Sequence, residues 1–160
     1  MRRTLALLGS LVAALAFSAS ALAGDARPMS GHFTVAVVPV EQRCGPNALT
    51  IGFEGAGIAT HLGRMTGFGS NCTEFTLAGG AVAIWDGIAT YVAADGSSVT
   101  VRYEGSQAAP SGGAATTVTT NTVVSGTGRF EGATGSWEGT GVIDFTSGLF
   151  DGTFSGWIGY

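Results

Sequence analysis

From His32 onward the chain alternates apolar and small polar side chains, and glycines fall inside the alternating runs as well as between them. Alternation with a period of two puts successive side chains on opposite faces of a strand, so the pattern predicts an all-β fold. Phe33, Val35 and Val37 alternate with Thr34, Ala36 and Val38 across 32–40, and Pro39 predicts that this run ends as an edge strand. Further runs cover 48–60, 65–77 (one or two segments, broken near Gly69-Ser70-Asn71), 81–93, 99–104, 116–125, 136–145 and 149–158. Asp95-Gly96 and Ser147-Gly148 mark hairpins, and 108–115, with Pro110 and Gly112-Gly113, reads as a loop. No helix is expected after Gly24.

The chain has 27 glycines, and Gly52, Gly87, Gly139, Gly141, Gly152 and Gly156 stand within strand patterns. Glycine weakens a flat strand but lets a strand bend sharply. The expected architecture is therefore a single closed antiparallel barrel of about eight strands, with a sandwich as the alternative. Run 81–93 is apolar on both parities, with Val82, Ile84, Ile88 and Val92 on one and Trp85, Ala89 and Tyr91 on the other. A strand of that kind is covered on both sides, and the cover expected outside a barrel is another subunit.

The N-terminus adds a compartment. Met1-Arg2-Arg3, the apolar run Thr4–Phe17 and the closing Ala21-Leu22-Ala23 have the order of a secretory signal peptide over 1–23. The apolar run is too short for a membrane anchor, and no cysteine follows Ala23 to carry a lipid. The expected organisation is a cleaved signal, a flexible mature N-terminus over 24–31 and a barrel domain over 32–160. Export by the general secretory route to the periplasm or the medium follows. In an oxidising compartment Cys44 and Cys72 read first as a disulfide, with two buried thiols as the alternative. The net charge is −4 and no lysine is present, so the basic stripe that nucleic acid requires is missing.

Chemistry-bearing patterns are sparse. Gly126-Thr127-Gly128 and Gly139-Thr140-Gly141 lack the GK[ST] of a phosphate loop and open no helix. His32 and His61 stand at no metal-ligand spacing, no nucleophile elbow occurs, and no cofactor is implied. Scattered acids (Glu54, Glu131, Glu138, Asp144, Asp151) suit solvated faces better than a glycosidase pair. Trp85, Trp137 and Trp157 fit core packing, or the wall of an apolar cavity. The final run, Phe154, Gly156, Ile158 and Tyr160, ends on an aromatic as outer-membrane barrels do, which keeps a small membrane barrel open as a reading.

The most distinctive stretch is Gly126-Thr127-Gly128-Arg129-Phe130-Glu131-Gly132-Ala133-Thr134-Gly135. It resembles the G-T-G-[RK]-F-x-x-A-x-G signature of the allene oxide cyclase/dirigent-like barrel superfamily, in particular its exported bacterial members. Thr60-His61-Leu62-Gly63-Arg64 and Ala93-Ala94-Asp95-Gly96 look like further pieces of that group, in the right order. The resemblance implies an eight-stranded antiparallel barrel with a central cavity, and a trimer as in the plant relatives. Plant members isomerise an oxylipin epoxide or orient phenoxy radicals, and their polar cavity residues match no positions here. In physical terms Gly126, Gly128, Gly132 and Gly135 would permit a tight crossing of the barrel end, Phe130 would plug the core, and Arg129 would bond carbonyls exposed there.

Three functional readings follow. The first is an exported barrel that binds a small apolar or amphipathic molecule in its cavity, with His61, Arg64 and Glu54 as the polar residues expected to reach that cavity. The others are a cyclase or isomerase that shapes a reactive substrate in the same space, and an outer-membrane barrel.

Overall fold

The structure is a computed structural model that describes residues 25–74 and 80–160, so the signal peptide expected over 1–23 lies outside the described residues. Eight strands follow one another: β1 (Arg27–Val38), β2 (Ala48–Ala59), β3 (Gly63–Glu74), β4 (Val82–Ala93), β5 (Ser98–Gln107), β6 (Ala114–Thr127), β7 (Thr134–Asp144) and β8 (Leu149–Gly159). Each pairs antiparallel with the next, and β8 returns to β1 from Arg27↔Ile158 to Ala36↔Leu149. The sheet is a closed barrel, not a sandwich. A 3-10 turn, Gly128–Phe130, precedes β7.

Closure corrects two local expectations. β1 is hydrogen-bonded on both sides and has no free edge; Pro39, which lacks an N–H to give, stands just after its last residue. The strand also begins at Arg27, inside the segment expected to be a flexible lead. Pairing with β8 and burial of Met29 in the core hold that segment in the sheet.

The two ends of the barrel differ. At one end Met29, Leu62, Met65, Ala93, Val99, Val101, Phe130 and Ile158 form a packed apolar plug. The strands meet there through tight turns, one of them at Gly96 (φ 84°), where the Asp95 carboxylate accepts the Ser97 N–H at 3.0 Å. At the opposite end the β1–β2 and β5–β6 connections are longer, while β7 and β8 meet in a short turn over 145–148.

Glycine positions let aromatic rings lie against the inner wall. A Cβ on Gly87 would stand 2.6 Å from the Tyr103 ring, and one on Gly67 3.0 Å from Tyr91. Rings covering strand glycines restore the packing that glycine lacks.

The two-sided apolar pattern of β4 has a local cause. The register with β5 shifts between Ile84 and Gly87, and that with β3 shifts between Ser70 and Cys72. This bulge moves the inward set from Ile84 to Gly87, Ala89 and Tyr91, so both sequence parities face inward in turn. Ile88 still points out, 45% exposed. Arg43 bridges the irregularity from outside. Its guanidinium pairs with the Asp86 carboxylate and also donates to the Asp86 carbonyl at 2.7 Å and the Ser70 hydroxyl at 3.3 Å.

Candidate functional site

Beyond the plug the barrel interior opens into a cavity of about 530 Å³. Four aromatic side chains form its inner end. Trp137 and Phe154 have ring centroids 5.8 Å apart, Tyr91 lies 6.3 Å from Trp137, and Phe33 lies 5.9 Å from Phe154. Val35, Ile51, Phe53, Ile143 and Phe150 extend the apolar wall, and Val37, Leu49, Val82, Pro110 and Phe145 surround the opening. All of these come from the inward parity of their strands or from the loops at the open end.

One sector of the wall is polar. Asn71 on β3, Tyr103 on β5, and Thr117, Thr119 and Asn121 on β6 line the cavity. Tyr103 and Asn121 are directly opposed across the β5–β6 pair. The Tyr103 hydroxyl donates to Asn71 Oδ1 at 3.1 Å, and Asn121 Nδ2 donates to Thr119 Oγ1 at 3.1 Å and to the Trp137 carbonyl at 3.4 Å. Among the described residues no buried side-chain nitrogen or oxygen lacks a partner.

The phenols hold their protons. Burial pushes Tyr91 up to about 12. Burial also raises Tyr103 far above the ordinary phenol range, and the neighbouring Tyr91 adds to this, while Arg43 acts in the opposite direction. Glu74, at the mouth, is the one carboxylate among the described lining residues, which include no histidine. The deep cavity can give and accept hydrogen bonds, but it has no group suited to removing a proton at neutral pH.

His61, Arg64 and Glu54, the polar residues expected in the cavity, are not part of its lining. Glu54 and Arg64 fall on the outward parity of β2 and β3 and are exposed. His61 sits in the β2–β3 turn at the plugged end (φ 70°), where Nε2 lies 3.0 Å from the Pro28 carbonyl oxygen and its ring packs on Tyr160. The polar groups that do line the cavity, Asn71, Tyr103 and Asn121, were available as inward-parity positions of their strands. The bulges at 70–72 and 84–87 hide that parity on β3 and β4, and on β6 threonine occupies both faces.

The 126–135 stretch lies at the plugged end, away from the cavity. Phe130 is fully buried, with its ring 4.8 Å from that of Tyr160. Arg129 pairs with the Asp95 carboxylate and donates to the His61 carbonyl at 2.9 Å, tying three turns together. Cys44 and Cys72 are joined as a disulfide that fixes the segment before β2 to the outer side of β3. A second depression, about 640 Å³, lies on the outer wall near Ser30, His32, Ile58 and Glu138. It is more open to solvent than the interior, which is also the more enclosed by apolar side chains, so the interior is the candidate site.

The chain matches no family model and no curated protein. Among solved structures it is similar to a pterocarpan synthase dirigent protein, with a TM-score of 0.47 and 14% identity over 86% of this chain and 92% of that one. A likeness of that size decides nothing about family or activity.

Proposed function

We infer that this is an exported soluble barrel that holds a small apolar or amphipathic molecule in its interior. The observation that carries the reading is the cavity of about 530 Å³, apolar over most of its wall and polar in one sector. That combination is how proteins bind small molecules: apolar wall for affinity, a few placed polar groups for orientation. Export is supported by the signal-like 1–23 segment and by the Cys44–Cys72 disulfide, which persists in oxidising compartments. Side-chain placement counts against the membrane-barrel reading. Glu54, Arg102, Glu104 and Glu138 point outward from strand interiors while the inside is apolar, the reverse of a barrel that faces lipid.

The cyclase or isomerase reading keeps one point in its favour, the Thr117 and Thr119 hydroxyls on the polar sector, which would donate to a substrate oxygen. Self-association is a further part of the proposal, since Ile58, Phe68 and Ile88 are 62%, 54% and 45% exposed on the outer wall of β2–β4. Light scattering that gives a monomer would remove it. Native mass spectrometry of the mature protein purified from its own host tests the binding reading. A co-purifying adduct of small-molecule mass is expected; an empty barrel in every preparation would contradict it.

A further inference from the structure

The geometry points to an occupant that is uncharged and carries a hydroxyl group, with carboxylates rejected; this rests on the binding reading above and narrows it.

Charge gives the first argument. Among the described residues the cavity lining contains no arginine or histidine, and its one carboxylate, Glu74, stands at the mouth. Residues 75–79, Phe-Thr-Leu-Ala-Gly, contain no charged side chain, and no lysine exists in the chain. Arg43 is committed to Asp86 and is not part of the lining. A carboxylate drawn inside would lose its hydration with no cation to compensate, and would pass Glu74 on the way.

Hydrogen-bond direction gives the second. Asn121 Nδ2 gives its two hydrogens to Thr119 Oγ1 and the Trp137 carbonyl. A carbonyl only accepts, so the amide nitrogen must face it, and Oδ1 is the atom left without a partner among the described residues. Asn121 is 5% exposed, yet no sealed side-chain oxygen is unpaired, so this Oδ1 opens onto the cavity that Asn121 lines. Tyr103 spends its only proton on Asn71 Oδ1 and presents lone pairs. The polar sector therefore offers acceptors from Asn121 and Tyr103 and donors from the Thr117 and Thr119 hydroxyls and the second Asn71 amide hydrogen, the first being given to the Cys72 carbonyl. An alcohol can donate to Asn121 Oδ1 and accept from a threonine. An ionised carboxylate has no proton to donate and meets those acceptors with like polarity.

The test displaces the neutral fluorescent probe N-phenyl-1-naphthylamine from the mature, disulfide-intact protein at neutral pH, using three competitors with the same chain: 1-decanol, decanoate and decyl methyl ether. Decanol is expected to displace the probe at about tenfold lower concentration than decanoate, or better, with the ether in between. In Asn121→Leu the advantage of decanol over the ether should disappear while the probe still binds. Decanoate competing as well as decanol in the wild type would overturn the inference and leave the binding reading intact. Failure of the wild type to take up the probe at all would overturn the binding reading itself, and this inference with it.

Discussion

Two glycines of the 126–135 stretch do different jobs. A Cβ on Gly126 would collide with the Phe130 carbonyl, which is backbone and cannot rotate away. Gly132 has open space around its Cα but sits at φ 75°, a conformation that costs a side chain without any clash. Gly126→Ala is therefore expected to lose about 2–3 kcal/mol of unfolding free energy. Gly132→Ala should lose only about 1 kcal/mol, the penalty of the left-handed backbone alone. Urea denaturation of the two variants checks the order; equal losses would mean that the tight crossing above Phe130 is softer than the structure has it. A polar residue in an alternating strand points outward by default, which is why Glu54 and Arg64 are solvated. Tyr103 shares the inward parity of Val99 and Val101, whereas Asn71 is masked by the bulge at 70–72 and Asn121 by the threonines on both faces of β6.

At the scale of elements, the β7–β8 hairpin depends on Asp144. Its carboxylate accepts the Thr146 N–H at 2.7 Å and the Ser147 N–H at 3.3 Å, and these bonds hold its pKa below the ordinary 3.8. On β8, Asp151 is lowered in the same direction by the Thr34 hydroxyl and His32. A carboxyl depressed in the folded state contributes stability that is fully present above the unfolded pKa and is lost as pH falls through the folded value. Asp144→Ala should therefore be less stable than wild type at pH 7, and the gap should narrow below about pH 4. A gap that does not change with pH would contradict the turn's dependence on the ionised carboxylate.

The disulfide acts at this scale too, closing a loop with a sequence separation of 28 beside the β3–β4 bulge. Replacing both cysteines by alanine should cost roughly 3 kcal/mol, read from the urea midpoint. Most elements were legible in the chain: the eight alternating runs correspond to the eight strands, and Asp95-Gly96 and Ser147-Gly148 are their turns. The start of β1 was not, because Met29 is held by pairing with a strand more than a hundred residues away, which no local pattern records.

For the whole molecule, closure turns a glycine-rich chain, nearly helix-free among the described residues, into a barrel with one plugged end and one open end. The plug takes up the turn signature, so the most distinctive sequence stretch builds the floor while the cavity is built by ordinary-looking strand positions. Sequence patterns could give the barrel, but not that its interior is only partly filled. That depends on how inward glycines and aromatics from eight strands add up in three dimensions. The central claim is that the remaining space is a binding site. It is tested most directly by titrating a neutral apolar fluorescent probe into the wild type and into Thr117→Trp, where the bulky ring enters the cavity from its polar side. Saturable one-to-one uptake by the wild type is expected, lost in a variant that still unfolds cooperatively. Absence of saturable uptake by the wild type, or uptake unchanged in the filled variant, would contradict the claim.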